Sequence, residues 1–571
     1  MSISQSFPAP NANRTDWAAL GWAFLFFWYF SGVYHSLLQI SGATIFVGFR
    51  QAIIVSTLWL VPLLLFPART KQIAAVIGVI LWAFSLASLG FYFVYQQEFS
   101  QSVIFIMFES NSAEASEYVA QYFAWWMIPA LLAYTAGAWL LWRRLRPVAM
   151  APNKALALAL LILASLFVYP LIKLVKADEL SLSSAVEAYE KKMDPATPWQ
   201  VVFGYTQYRK RLAEMQELLD NNSKVPPLAN LRDANAGLPA TLVLVIGEST
   251  NRQHMGLYGY SRQTTPNLQA MPGVTAFNQV IGARPFTIET LQQTLSFADQ
   301  KNPDLYLTQP SLMNIMKQAG YKTFWITNQQ TLTQRNTMLT FFSQQMDEQV
   351  YLNHTRAQNS RSYDTNVLEP FAKVLADPAE RKFIIVHLLG THMKYEYRYP
   401  PEYEVFKDRQ GLPDWVNDKQ LPVINNYDNA VLFNDFVVSR LIKTFQASDP
   451  NGFLVYFSDH GEDVFDSGQH TMLGRSELTP SVPMYAVPFL LWTSDSWREK
   501  NLRDFVPQPD RPYSLANFIH TWADLAGLRF DLYDPAKSLV GREFKESPLW
   551  VGDPYNPKSL IDMRSMMSSG S

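Results

Sequence analysis

Apolar and polar residues are arranged in two unlike patterns along the chain. Before about residue 176, apolar positions form long runs, at roughly 17–40, 49–67, 72–96, 121–143 and 155–175. Most are long enough to cross a hydrocarbon core of about 30 Å, which takes about 20 helical residues. Five in succession predict a transmembrane domain of five helices over residues 1–176. The first run is not a cleaved leader, being long, rich in Trp and Phe, and without a clear small-residue cleavage site. Basic residues set the orientation. Arg69 and Lys71 lie between runs two and three, and Arg143, Arg144, Arg146 and Lys154 between runs four and five. Glu98, Glu109, Glu114 and Glu117 lie between runs three and four. This places the N-terminus in the cytoplasm and everything after about residue 176 on the outer face.

Residues 177–239 are charged and amphipathic. "WQVVFGYTQYRKRLAEMQELL" (199–219) predicts a bridging helix, lying at the membrane surface or simply connecting. "NNSKVPPLANLRDANAGLPA" (221–240) reads as a linker. From residue 240 the pattern alternates. Short β-branched runs, "TLVLVIG", "KTFWIT", "KFIIVHLLG" and "GFLVYFS", are separated by helical segments such as "PSLMNIMKQAG" and "NAVLFNDFVVSRLIKTF". Such alternation predicts an α/β domain over 240–571, with helices packed on a buried, mainly parallel sheet.

Ligands gather at the carboxyl ends of strands in such sheets. The four runs deliver Glu248; Asn328 and Gln329; His387 and, just beyond, His392; and Ser458, Asp459, His460 and Glu462. Glu248 and Asp459 offer oxygen and His460 nitrogen, with Gly461 breaking the strand so that adjacent side chains can turn to one point. Carboxylate plus imidazole suits Zn²⁺, with Mn²⁺ next. Ser249 and Thr250 are near, but can equally cap a following helix. "ARPFTIETLQQTLSFAD" (283–299) reads as a loop entering a helix, where free amides and the helix dipole favour a phosphate. Thr287, Thr290 and Thr294 are its candidate nucleophiles, and the residues alone leave the choice open.

The 571 residues carry 49 acidic and 47 basic side chains, so no basic footprint points to nucleic acid. There is no cysteine, which excludes disulfides, thiolate metal sites and a cysteine nucleophile.

"GESTNRQHMGLYGYSRQTTPNL", "TIETLQQTLSFAD", "GTHM", "YDNAVLFND" and "SDHGE" together resemble the phosphoethanolamine transferases of the gram-negative inner membrane, sulfatase-like members of the alkaline phosphatase superfamily. "TLQQTLSFAD" and the lack of cysteine look closest to the EptC (CptA) branch. The resemblance implies a periplasmic catalytic domain and transfer of phosphoethanolamine from phosphatidylethanolamine to lipopolysaccharide. Core heptose is the favoured acceptor and lipid A the second, with polymyxin resistance among the associated traits. It further implies Glu248, Asp459 and His460 as zinc ligands, and Thr287 as both nucleophile and fourth ligand, with Thr290 in reserve. His392 and His470 match histidines near the phosphate or a second zinc, and Asn111 and Glu114 match positions that meet the lipid head group. Asn328 is counted with the substrate-binding positions, while His387 fits a core role as well as a site role and His254 is expected to be structural. The family has Gly before the nucleophile where this chain has Phe286. Two other readings share these motifs: a glycerol phosphate transferase on the same scaffold, and a catalytically inactive membrane sensor or assembly protein. A sulfatase needs a C/S-x-P-x-R motif, which is not found.

Overall fold

The computed structural model describes residues 15–41, 46–95, 123–176, 182–220, 226–330, 338–353, 362–477, 479–501 and 507–567. Asn111 and Glu114 lie outside them. The chain forms two compact units, one ending at Lys210 and the other running from Arg211 to Ser571. The division falls inside the segment expected to bridge.

Helices occupy all five apolar runs of the first unit: α1 (Trp17–Ile40), α2 (Phe46–Ser56), α3 (Thr70–Tyr95), α4 (Met127–Arg144) and α5 (Pro152–Leu163). Among the described residues, two stretches are long and apolar enough to span a membrane, Pro67–Val94 and Pro152–Ile172. The others fall short of the expected five for separate reasons. Trp, Tyr, Ser and His35 dilute α1. The second run is split by a 3₁₀ turn at Thr57–Trp59 before Leu60–Leu65. Helix α4 has 18 residues and closes on Arg143 and Arg144. Cations rest on aromatic faces at the start of α1 and α3 and the end of α4: Lys71 over Trp142, Arg143 over Trp139 and Arg144 over Trp22. The segment entering helix α6 (Trp199–Asp220) packs on this unit, with Trp199 stacked on Trp59 at 6.1 Å and the Thr197 amide donating to Ser31 Oγ at 3.0 Å.

In the second unit, β1 (Ala240–Gly247), β2 (Val274–Ala276), β3 (Lys322–Gln330), β4 (Glu348–Asn353), β5 (Arg381–His387), β6 (Gly452–Ser458) and β7 (Phe489–Thr493) form a seven-stranded sheet in the order β2-β7-β6-β1-β5-β3-β4. The five strands β6-β1-β5-β3-β4 are parallel, and β7 runs antiparallel to both β6 and β2, so the sheet is mixed. Leu242 to Ile246 in β1 are wholly buried. Each such side chain contributes about 1.5–3 kcal/mol, which explains why the central strands read as continuous apolar runs. Helix α7 (Thr287–Thr294) and the long α8 (Leu421–Ala447) serve the same end of the sheet.

Two local expectations change. Residues from 228 on are not a free linker. Arg232 and Asp233 pair with Arg529 and Leu528, and Asp233 binds Arg381; turn residues that looked like spacer are used as anchors. The helix expected after Glu248 does not form either. Ser249 turns at φ 58° and only two 3₁₀ turns follow, at Arg252–His254 and Gly256–Tyr258, the N-cap Asn251 of the first accepting from the Gln253 amide.

His254 is held between carboxylates, with Nδ1 2.7 Å from Asp428 and Nε2 3.0 Å from Asp466. Asp428 also binds Arg262 and Tyr260. Burial alone would lower the imidazole's pKa; the two aspartates outweigh it and lift it to about 10.

Two outcomes are expected. A Cβ on Gly452 would stand 1.8 Å from the Thr241 carbonyl oxygen, so Gly452→Ala should push β6 off β1 and cost at least about 1–3 kcal/mol of stability, read as a lowered unfolding midpoint. His254 has a raised folded pKa, so its stabilisation is complete below about pH 6.5 and drains away as pH climbs through about 10. His254→Gln should cost about 3–5 kcal/mol at pH 6, and the gap to wild type should narrow steadily from pH 7 to 10 in denaturant titrations. A gap that widens with pH contradicts the assignment.

Candidate active site

Three parallel strands end together, and their exits are stitched to one another. Glu248 follows β1, and its carbonyl oxygen accepts from the Thr391 amide (2.9 Å) and hydroxyl (3.0 Å) beyond β5. Gly390 permits that approach: its φ is 55°, and a Cβ there would lie 2.6 Å from the Glu248 oxygen. Beyond β6, Asp459 Oδ1 accepts from the amides of Ser249 (3.2 Å) and His460 (2.7 Å). Ser458 Oγ accepts from the Thr250 amide at 2.8 Å. Strand β6 already ends at Ser458, so Asp459 and His460 are freed from its alternation. Gly461 is pressed against the Pro483 carbonyl, where a Cβ would sit at 2.1 Å. From α8, Tyr427 accepts from the Asn251 amide and donates to the Ser249 carbonyl.

Glu248, Asp459 and His460 each present a ligand atom within 4.8 Å of the others, all buried. His460 Nε2 stands 3.1 Å from Glu248 Oε1 and 3.3 Å from Asp459 Oδ2. Thr287 opens α7, and its hydroxyl donates to Glu248 Oε2 at 2.8 Å and lies 3.3 Å from His460 Nε2. Asp459 Oδ2 accepts no hydrogen bond among the described residues. Burial resists ionisation of Glu248, but its hydrogen-bonded neighbour His460 and the charge of Arg475 outweigh it and hold its carboxyl well below the usual range. Burial and the charge of Glu248 push Asp459 well above that range. Burial and then Arg475 lower His460 and keep its imidazole neutral, the form that binds metals. Two oxygens, one unprotonated ring nitrogen and a hydroxyl form a donor set that suits zinc, and Asp459 Oδ2, which accepts no hydrogen bond among the described residues, keeps its lone pairs for such an ion.

The threonines now differ. Thr287 is half-buried and reaches the cluster. Thr290 is fully buried, its hydroxyl donating to the Arg284 carbonyl at 2.7 Å. Thr294 is fully buried within the domain. Ser249 binds Glu248 Oε1 at 2.9 Å and Thr250 the Glu248 carbonyl, so neither caps a helix. His392 stands where Glu248, Arg475 and His460 all act on it. Burial lowers its pKa to about 4, and its Nδ1 has no hydrogen-bond partner among the described residues.

Three other expectations go elsewhere. Asn328 is not brought to the cluster: its amide donates to Asp364 (2.8 Å) and the Ser362 carbonyl, and its oxygen accepts from Ser362. His470 is turned aside at φ 57°, stacked on Trp415 at 3.8 Å with Nδ1 on the Phe465 carbonyl. His387 packs edge-on against Trp325, buried and with its pKa lowered to about 4 by that burial.

Residue patterns placed Gln329 and Glu462 at strand exits without giving them a role, and left Arg475 unmarked. Gln329, next to Asn328, donates to Glu248 Oε2 at 3.3 Å; its position on β3 was visible, its direction was not. Glu462 sits behind the cluster, its pKa pushed up to about 7 by burial. Arg475 Nη1 lies 3.1 Å from His460 Nδ1 and 3.7 Å from Glu248 Oε1, while its Nε pairs with Glu462 Oε2 at 3.2 Å. It is delivered by a short hairpin, Asp463–Val464 with Leu473–Gly474, which no strand-length apolar run announces.

The sulfatase family profile matches residues 240–528. Phosphoethanolamine transferase EptC of Escherichia coli strain K12 is 54% identical over 552 residues, 96% of each chain. The C-terminal periplasmic domain of EptC from Escherichia coli, solved in complex with zinc, superposes with a TM-score of 0.59 at 58% identity, covering 60% of this chain and 97% of that one. The integral membrane lipooligosaccharide phosphoethanolamine transferase A of Neisseria meningitidis shares the fold, with a TM-score of 0.59 at 19% identity over 91% of this chain and 98% of its own. A chain with this domain, these strand exits and 54% identity to EptC over 96% of its length belongs to the EptC family of sulfatase-like phosphoethanolamine transferases.

Proposed function

We propose that this enzyme moves phosphoethanolamine from phosphatidylethanolamine to lipopolysaccharide, core heptose before lipid A, at the periplasmic face of the inner membrane. It is anchored by five spans with the N-terminus in the cytoplasm, followed by a bridging segment and a catalytic domain from about residue 240. The anchor suits the chemistry, since donor and acceptor both reside in membranes. The observation that carries the reading is the convergence of Glu248, Asp459 and His460 on the Thr287 hydroxyl at a helix N-terminus.

Glu248, Asp459, His460 and Thr287 would hold one zinc ion. When bound, zinc supplies a Lewis acid that favours the alkoxide of a bound hydroxyl and offsets phosphoryl charge. Thr287 Oγ attacks phosphorus; the bond from phosphorus to the diacylglycerol oxygen breaks, and that oxygen takes up the proton Thr287 gave. The product is diacylglycerol and a phosphoethanolamine ester of Thr287. An acceptor hydroxyl then attacks, its proton returning to Thr287 as the ester bond breaks. Glu248 receives the Thr287 hydrogen bond and fixes the direction of attack. The first amides of α7 face the phosphoryl oxygens. His392, neutral and with Nδ1 unclaimed among the described residues, is the ring suited to ferry the proton.

Thr287→Ala should abolish a covalent adduct of phosphoethanolamine mass on the peptide holding residue 287 and lower transfer at least about 10³-fold, with zinc content reduced and folding retained. Persistence of the adduct contradicts the nucleophile. Mass spectrometry of core and lipid A, separated, from cells with and without the protein should show an added phosphoethanolamine on the core; an added glycerol phosphate contradicts the donor.

A further inference from the structure

We propose that Arg475, not His470, is the phosphate-facing cation that the loop after "SDHGE" contributes to this reaction. The proposal rests on the assignment of Thr287 as nucleophile.

Two departures from the family pattern meet at this residue. His470 is occupied by the Trp415 face and the Phe465 carbonyl. Five residues on, Arg475 enters the cluster. Its Nη1 lies against the His460 ring, 3.1 Å from Nδ1 and 3.7 Å from Glu248 Oε1, and Thr287 Oγ1 lies 3.3 Å from Nε2 of the same ring. Guanidinium and nucleophile thus flank one imidazole. A phosphoryl group on Thr287 would bring its oxygens within hydrogen-bond reach of Arg475, which offers two parallel N–H donors to a tetrahedral oxyanion.

The second departure is Phe286. Its ring carries the Arg475 guanidinium at 5.9 Å, within the range of a cation–π contact. A glycine there would offer no such platform. Glu462, at 3.2 Å from Arg475 Nε, secures the other side and leaves Nη1 directed at the cluster. The side chain keeps 15% exposure, so it is open to a ligand. With Glu248 and Glu462 beside it, the guanidinium stays charged. It is thus a preorganised donor aimed where negative charge grows during transfer, the class of group whose removal costs about 10²–10³-fold in rate.

The test compares full-length wild type, Arg475→Gln, Arg475→Lys and Thr287→Ala, each assayed for bound zinc, unfolding midpoint, single-turnover adduct formation and steady-state transfer. Arg475→Gln should keep its zinc and midpoint, form adduct about 10²-fold more slowly, and lose kcat far more than it raises KM. Arg475→Lys, which keeps the charge but not the fork, should recover about tenfold of that loss. Arg475→Gln with zinc bound and adduct forming within about threefold of wild type overturns the proposal. Loss of zinc and midpoint in both Arg475 variants also overturns it, by making Arg475 a structural brace. Adduct on Thr287→Ala overturns the underlying nucleophile assignment, an outcome separable from the first two.

Discussion

Two carboxylates buried side by side are the constraint on which this domain turns. Glu248 and Asp459 both face His460, are all but removed from water, and cannot both stay ionised without a compensating charge. Evolved cores avoid such crowding unless a cation or a reaction repays it. Arg475 supplies one positive charge from the side, and a divalent ion among the carboxylates, the imidazole and Thr287 would supply the rest. The architecture can be understood as what is needed to hold those groups in contact.

The parallel sheet does most of that work. Strands β1, β5 and β6 are adjacent, so their exits are neighbours. Backbone amides then do what side chains alone cannot: Thr391 reaches back to Glu248, and Ser249 crosses to Asp459. The approach is close enough that Gly390 and Gly461 have no room for a Cβ. Helix α7 brings the Thr287 hydroxyl to the cluster at its first residue, while the His254–Asp428–Asp466 network and Tyr427 brace the loop after Glu248. Rigidity here is chemical as well as structural, because an in-line displacement tolerates little misplacement of nucleophile or charge.

Much of this was legible in the chain itself. Runs such as "TLVLVIG" mark strands buried on both faces, and polar residues at four exits point to one site. What periodicity does not encode is direction. Asn328 and Gln329 are adjacent on β3, yet only Gln329 turns to Glu248, because Asn328 is claimed by Asp364 and Ser362. Thr287, Thr290 and Thr294 are alike in sequence; their burial separates them only once α7 is packed. Arg475 lies beyond a hairpin whose strands are two residues each, too short to leave a pattern, whereas His470, the loop's expected functional residue, stacks on Trp415. In the first unit, apolar length was visible, but the break at Thr57–Trp59 was not.

Membership of the EptC family agrees with an arrangement in which the paired carboxylates would hold a metal ion. The most direct measurement is anomalous scattering at the zinc edge from crystals of the full-length protein, alongside the Asp459→Asn variant. A single peak bonded to Glu248, Asp459, His460 and Thr287, lost in the variant, is the predicted result. A zinc-supplemented crystal with no peak there, and Glu248 and Asp459 close enough to share a proton, would contradict the account.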